Sequence, residues 1–131
     1  MTIFTKIIKG EIPSYRIAED DLFLAFLDIN PLRRGHTLVI PKTETDLFFD
    51  LEEIYLSRIL LFAKPIAKSI EKSFPCNRCG ISVIGLEVPH AHMHLIPIDH
   101  LNDMNFKNPK LKLSDAEFRN VQEKIISNLG I

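Results

Sequence analysis

Along this chain the apolar positions change their spacing several times, and each change marks an element. In "TIFTKIIKGEIP", Ile3, Phe4, Ile7 and Ile8 fall on one helical face, and Gly10 and Pro13 end the pattern, which predicts a short N-terminal helix. "SYRIAED", "LFLAFLDI" and "HTLVIPK" are runs of strand length, separated by Asp20-Asp21 and by the turn-forming "NPLRRG". They predict three antiparallel strands. Asp50 followed by Glu53 has the form of a helix cap with its partner, and helical spacing runs from Leu51 to about Phe74. Pro65 sits inside that helix, where it removes an intrahelical hydrogen bond and favours a kink.

"CGISVIGLEV" and "HAHMHLIPI" supply two further strands, joined near Gly85. Ser114 and Glu117 form a capping box ahead of a last helix, with Phe118, Val121, Ile125 and Leu129 at helical spacing and Gly130 as its stop. The sum is an α+β fold: an antiparallel sheet of about five strands, one long central helix, a short N-terminal helix and a C-terminal helix. The long helix is apolar over more than one stripe, because "ILLFA" fills consecutive positions that a single core contact cannot bury. Its second apolar face predicts a partner subunit, a second copy of the chain.

Composition narrows the function classes. A chain of 131 residues that is 46% hydrophobic fits one globular domain, here 1–131, with the loop and helix 99–131 as an extension. The net charge of -1 hides no strong block of either sign, and the basic run "FKNPKLKL" is short and broken by apolar residues, so bulk attraction to nucleic acid is not indicated. No apolar stretch approaches the roughly 20 uncharged residues of a membrane span. The N-terminus interleaves lysines with isoleucines where a signal peptide carries a continuous apolar region. These features read as a cytoplasmic protein with no membrane partner. Cys76 and Cys79, in "PCNRCG", lack the two further ligands that zinc needs, and the pair follows a helical pattern where a redox pair would start a helix. They read as reduced, incidental thiols.

The chemistry concentrates in "VPHAHMHLIP". Three of the five histidines recur there at every second position. On a strand, His90, His92 and His94 would share one face, about 6.6 Å apart between neighbours, with Ala91, Met93 and Leu95 on the core face. Polar filler explains one such histidine better than three. A metal site is the stronger rival, since two histidines at i and i+2 can converge on zinc, although a third in line must lean far off its rotamer. The remaining explanation uses a neutral imidazole as nucleophile, with neighbours that hold its tautomer and neutralise developing charge. A phosphoryl group is the electrophile best matched to several N–H donors without a carboxylate base, and His92, with helpers on both sides, is the candidate nucleophile.

At this point the residues resemble a family. "HAHMHLI" is similar to the histidine-triad signature, His-φ-His-φ-His-φ-φ with φ apolar, of the HIT superfamily of nucleotide hydrolases and transferases. "IFTKIIKGEIPSYRIAEDD", "FLAFLDINP" and "GHTLVIPK" resemble, in order and spacing, the N-terminal half of its Hint branch, and the resemblance spans Ile3 to Pro97. It implies a metal-independent purine nucleotide phosphoramidase or nucleotidyl hydrolase with no cofactor, in which His92 attacks the α-phosphate to form a covalent nucleotidyl-histidine that water then hydrolyses. His90 and His94 would flank His92, and His36 would complete the cluster. Asp28 would accept the ribose hydroxyls, as an acceptor-only group suits. Ile3, Phe4, Ile7, Phe26 and Ile29 would wall the purine, although each also suits an ordinary core. The family pairs its long helix across a two-fold axis, which implies a homodimer.

Three departures from the family pattern carry consequences. Leu86 stands where glutamine is common, which removes a polar contact to the phosphate or leaving group. Thr2 and Thr5 stand where many bacterial relatives have a Cys-x-x-Cys zinc half-site, so that structural zinc is expected to be missing. The loop before Gly85 is shortened, which leaves Ser82 and Glu87 as the nearest candidates for phosphate contact. The rivals are a dinucleoside polyphosphate hydrolase, a nucleotide-binding protein with little turnover, and a hydrolase that uses the three histidines as metal ligands. The segment Asp99–Leu113 has no periodicity of its own, and connections of its length are usually functional or disordered. The resemblance implies that it selects leaving groups through His100, Asn102 or Lys107, and the alternative is a surface linker whose polar residues serve solubility.

Overall fold

In the computed structural model, which describes residues 1–130, the run "FLAFL" is apolar at every position because both faces of the strand it forms are covered. Ile131, the last residue of the expected domain, lies outside the described residues. The elements in chain order are α1 (Ile3–Ile8), β1 (Arg16–Glu19), β2 (Phe23–Leu27), β3 (Thr37–Pro41), α2 (Glu53–Ser73), β4 (Arg78–Ser82), β5 (Met93–Ile98) and α3 (Asp115–Ser127). The five strands form one sheet in the order β1-β2-β3-β5-β4, with every pair antiparallel.

The pleat sorts the strand residues onto two layers. Phe23, Ala25 and Leu27, with Val39, Met93 and Leu95, pack against Ile59, Ala63, Ile66 and Ile70 of α2 and against Phe118, Val121 and Ile125 of α3. Leu24 and Phe26, with Leu38 and Ile40, face the other way and meet Phe4 and Ile7 of α1. Each fully buried side chain of this size contributes about 1.5–3 kcal/mol of burial. Where α2 and α3 cross, the buried Ser69 hydroxyl donates to the Ile125 carbonyl, so the interface leaves no orphan there. The α1 side is thinly covered. A helix of six residues cannot span the sheet, and the part of this face beside β5 is left for the functional site.

Three boundaries differ from the sequence-based expectation. The Asp50–Glu53 cap does not form: Asp50 ends a short 3₁₀ turn, buried Leu51 stays extended, and α2 starts at Glu53 behind an uncapped Glu52. From there α2 runs unbroken through Pro65. The capping box of Ser114 and Glu117 is present, but α3 stops at Ser127, where Asn128 takes the last carbonyls, before Gly130 is reached. The largest difference is in the last two strands. The chain leaves the sheet after Ser82, turns at Gly85 with φ of 72°, and re-enters at Met93.

Gly35 is required where it stands. Its φ of 99° favours glycine, and a Cβ there would lie 2.8 Å from the Phe74 ring. That approach delivers the next residue, His36, to the position just before β3. On the outer side of α2, Ile54, Leu60 and Leu61 remain exposed, as the second apolar stripe anticipated. Among the described residues no helix is long and apolar enough to cross a membrane.

Candidate active site

Only His94 of the three motif histidines lies in β5. His90 and His92 belong to the segment that approaches it, so the alternation expected of one strand does not orient all three. Nor do they stand on a solvated face: His90 is 0% exposed, and His92 and His94 are each 7% exposed. The approach is pinned by its backbone. Ala91 N–H donates to the Thr45 carbonyl at 2.7 Å, and His90 N–H to the Val88 carbonyl at 2.8 Å.

Backbone partners assign the tautomer of every histidine in the cluster. A carbonyl only accepts, so the 2.9 Å contact to the Pro41 carbonyl places a proton on His90 Nε2, and His90 Nδ1 accepts from the Thr2 hydroxyl at 2.8 Å. The His90 carbonyl likewise places a proton on His92 Nδ1, at 2.7 Å, which leaves the lone pair on His92 Nε2. From the other side, Leu32 N–H donates to His36 Nδ1 at 3.0 Å, so His36 carries its proton on Nε2 and donates to His94 Nδ1 at 2.9 Å. His94 is left with an N–H at Nε2. The only fully buried side-chain polar atom without a partner among the described residues is Ser14 Oγ. The free nitrogens of His92 and His94 are therefore reached from the cavity. One offers a lone pair and the other an N–H, side by side on rings 5.1 Å apart.

Two cavities meet at these nitrogens. The first, about 250 Å³, is lined by polar groups and by a loop that arrives from the C-terminal side. The second, about 220 Å³, is largely apolar and is walled by Ile3, Phe4, Ile7, Phe26 and Ile29. Asp28, Asn30, Glu87, His92 and His94 line both and form the seam. His36 lines the first cavity only. Of the four anticipated histidines, His90 alone lines neither, because it lies behind His92 and acts on it through its carbonyl. Ser82, paired with His94 across β4 and β5, also lines neither. His100, Asn102 and Lys107 are exposed and away from both cavities, whereas Phe106 and Lys110 of the same loop line the first. No local signal distinguished those two, or Asn30, from surface residues.

Burial governs the electrostatics. It pushes His36 down to about 3 and His94 down to about 4, with each lowered further by a neighbouring histidine, and it lowers His90 as well. At neutral pH these imidazoles are uncharged, and the 3.5 Å contact between His36 and Asp28 is not an ion pair. Burial raises the Asp28 carboxyl, against a hydrogen bond from Asn30 N–H that lowers it. Cys76 and Cys79 are free, and burial pushes the Cys79 thiol up to about 12 and raises Cys76, so neither offers a thiolate.

The family model described as HIT domain matches residues 9–101. The chain belongs to the HIT family. A HIT-like protein of Borreliella burgdorferi is 38% identical, with 97% of each chain covered. A protein of Schizosaccharomyces pombe named adenosine 5'-monophosphoramidase is 33% identical, again over 97% of each chain. The crystal structure of a Hit-like protein from Bartonella henselae superposes with a TM-score of 0.83 at 30% identity, covering 97% of this chain and 95% of that one.

Against that family background, the positions of the zinc half-site hold a different arrangement. Glu44 accepts from Thr2 N–H at 2.6 Å and from the Thr5 hydroxyl at 2.8 Å, while Thr2 Oγ1 caps α1 and binds His90. Two hydroxyls, a carboxylate and an imidazole do not make the nitrogen and sulfur set that zinc prefers, and here the four groups satisfy one another. The three motif histidines do not converge as metal ligands either. The group whose ligand atoms lie within 4.8 Å of one another is Asp28, His36 and His94. Within it, His36 and His94 already share a proton, which a metal would have to displace.

The depressed histidines link folding to acidity. Between the ordinary imidazole value of 6.5 and the folded values of about 3 and about 4, the unfolded chain binds protons that the HIT fold refuses. Stability therefore falls as pH falls through that window, by up to ~1.4 kcal/mol per pH unit for each group. Asp28, raised, opposes this nearer its own range. Denaturant midpoints should drop between pH 7 and pH 5, and drop less in His36→Gln, where one depressed imidazole is gone. Equal midpoints at the two pH values would show that the histidines are not held neutral.

Proposed function

We propose that this protein is a metal-independent purine-nucleotide phosphoramidase or nucleotidyl hydrolase, a homodimer acting in the cytoplasm, with the whole chain as one domain. The observation that carries the proposal is the pairing of a lone pair on His92 Nε2 with an N–H on His94 Nε2, at the seam between an apolar and a polar cavity. The apolar cavity suits a purine, and Asp28 at the seam suits ribose hydroxyls. His92 Nε2 attacks the α-phosphorus: a P–N bond forms, the bond to the leaving group breaks, and the departing amine takes up a proton from solvent water at the mouth of the polar cavity, the hydroxide left behind being neutralised by the proton released when water later cleaves the adduct. His92 keeps its Nδ1 proton against the His90 carbonyl, so the imidazole never needs a base. His94 donates to the phosphoryl group as its charge grows. Water then cleaves the nucleotidyl-histidine, releasing the nucleoside monophosphate and restoring His92.

The name of the S. pombe relative supports the choice of phosphoramidates over other substrates. Leu86 supports a second reading, a nucleotide-binding protein with little turnover. It lines the polar cavity at 89% exposure and brings no polar contact to the leaving group. Hydrolysis of dinucleoside polyphosphates would use the same steps with a different leaving group.

Incubation with adenosine phosphoramidate followed by rapid quenching and intact-mass measurement should detect a nucleotidyl adduct. His92→Ala should abolish both adduct and turnover while AMP affinity stays within about tenfold, the worth of ~1.4 kcal/mol of contact. Turnover without any adduct, or an active His92→Ala protein, would remove the covalent mechanism. In Asp28→Ala, ribonucleotides should weaken by about 1.5–3 kcal/mol per lost hydroxyl bond while deoxyribonucleotides weaken less. Equal losses would return Asp28 to a purely structural role. Sedimentation should give a dimer at micromolar concentration, and Leu61→Glu on the exposed stripe of α2 should split it or cause aggregation.

A further inference from the structure

The loop between β5 and α3 folds back over the histidines. Its Phe106 ring meets the His94 ring edge-on at 4.7 Å and the His36 ring at 6.1 Å. Four residues on, Lys110 is itself exposed but lines the same cavity as His36 and His94, and its ammonium donates to the carbonyls of Phe106 and Asn108. The loop is built to hold this shape. Leu111 N–H donates to the Pro31 carbonyl at 2.9 Å, Asn108 Nδ2 to the Asn102 carbonyl at 2.8 Å, and Lys107 N–H to Asn105 Oδ1 at 2.9 Å. At its start, Arg33 pairs with both Asp99 and Asp103.

The polar cavity divides by function once the apolar one is given to the nucleoside. Asp28, Asn30, Glu87, His92 and His94 line both cavities. His36, Ile84, Gly85, Leu86, Phe106 and Lys110 line only the polar one, on the side away from the base. With the nucleoside in the apolar cavity and the phosphate at the seam, that side is the space left for the leaving group. Of those six residues Lys110 alone carries a charge at neutral pH, because burial keeps His36 neutral. An ammonium has three N–H donors, and two are spent on backbone carbonyls, so the third is free and its direction is restrained.

We infer that Lys110 is a specificity-determining residue that receives an anionic oxygen of the leaving group, so that this protein favours substrates whose departing group carries a carboxylate or a further phosphate close to the scissile bond. The inference rests on the nucleotidyl-transfer reading of the same site. It assigns the loop a ligand chemistry, with Phe106 as the apolar floor that seats the chain between the nitrogen or oxygen leaving atom and the anion. Leu86 and Ile84 form the opposite wall, which suits the aliphatic part of a carboxylate-bearing amine.

The test compares three adenosine substrates in wild type and in Lys110→Met: the unsubstituted phosphoramidate, the phosphoramidate of glycine, and ADP as the phosphate-bearing case. Wild type should prefer an anionic leaving group. In Lys110→Met that preference, as a ratio of kcat/KM to the unsubstituted phosphoramidate, should fall by roughly ten- to hundredfold, the range of one hydrogen bond to a charged group. Lys110→Arg should retain most of it. Loss confined to the glycine conjugate identifies a carboxylate as the natural anion, and loss confined to ADP identifies a phosphate. An equal fall for all three substrates would mean that Lys110 holds the transferred phosphate, and the inference would be overturned. Calorimetric affinities for ADP and for the glycine conjugate, each relative to AMP, provide a readout that needs no turnover. If neither ratio moves in Lys110→Met, the leaving-group role is wrong even if the enzyme is active. If a ratio moves but no substrate turns over, the role stands and the hydrolase reading is what fails.

Discussion

Four imidazoles share one buried region, and burial holds His36, His90 and His94 below their ordinary range there. An unsatisfied buried polar group costs about 1–3 kcal/mol, and an unpaired buried charge costs more. Every partner is therefore a decision about a proton. The Pro41 carbonyl, the His90 carbonyl and the Leu32 amide are fixed in kind, one class only accepting and the other only donating. From those three contacts the tautomer of each histidine follows, ending with a bare nitrogen on His92 and a protonated one on His94. The reactive pair is a consequence of satisfying the buried ones.

The fold serves this arrangement by treating the two faces of its sheet unequally. α2 and α3 cover one face with a continuous apolar layer that anchors Met93 and Leu95. The residue between them, His94, then has to face the other side, where α1 is too short to fill the space. Gly35, tucked against Phe74, brings the chain into β3 at the height that puts His36 against His94. Thr2 caps α1 and binds His90 with the same oxygen, so the helix that walls the apolar cavity also steadies the first histidine.

On the proposed reading, the neutral His36 and His94 also shape how a phosphate would be met. With His36 and His94 held well below their ordinary range, the incoming charge finds N–H dipoles that cost no reorganisation and no proton uptake. Full charges stand at the margins: Asp28 and Glu87 at the seam, and Lys110 on the loop from the C-terminal side.

The sequence by itself determined the α+β class and the long helix with its second apolar stripe, through local periodicity, and the family and most of the residues that line the two cavities, through short motifs. Phe4, Phe26, Asp28, His36, His92 and His94 were all legible from their short motifs, and the structure brings them to the two cavities that meet at Asp28, His92 and His94. Where the sequence pattern misled, local alternation was extended past the point where pairing stopped. It drew a strand through His90 and His92, although Gly85 and the Thr45 carbonyl hold that segment off the sheet. Only the tertiary structure decided that His90 acts through its carbonyl, that Thr2 and Glu44 occupy the place of the zinc half-site, and that Phe106 and Lys110 rather than His100, Asn102 and Lys107 reach the cavity. Each of those depends on contacts between residues dozens of positions apart, or on which side of an aperiodic loop turns inward, and no periodicity in the chain encodes either.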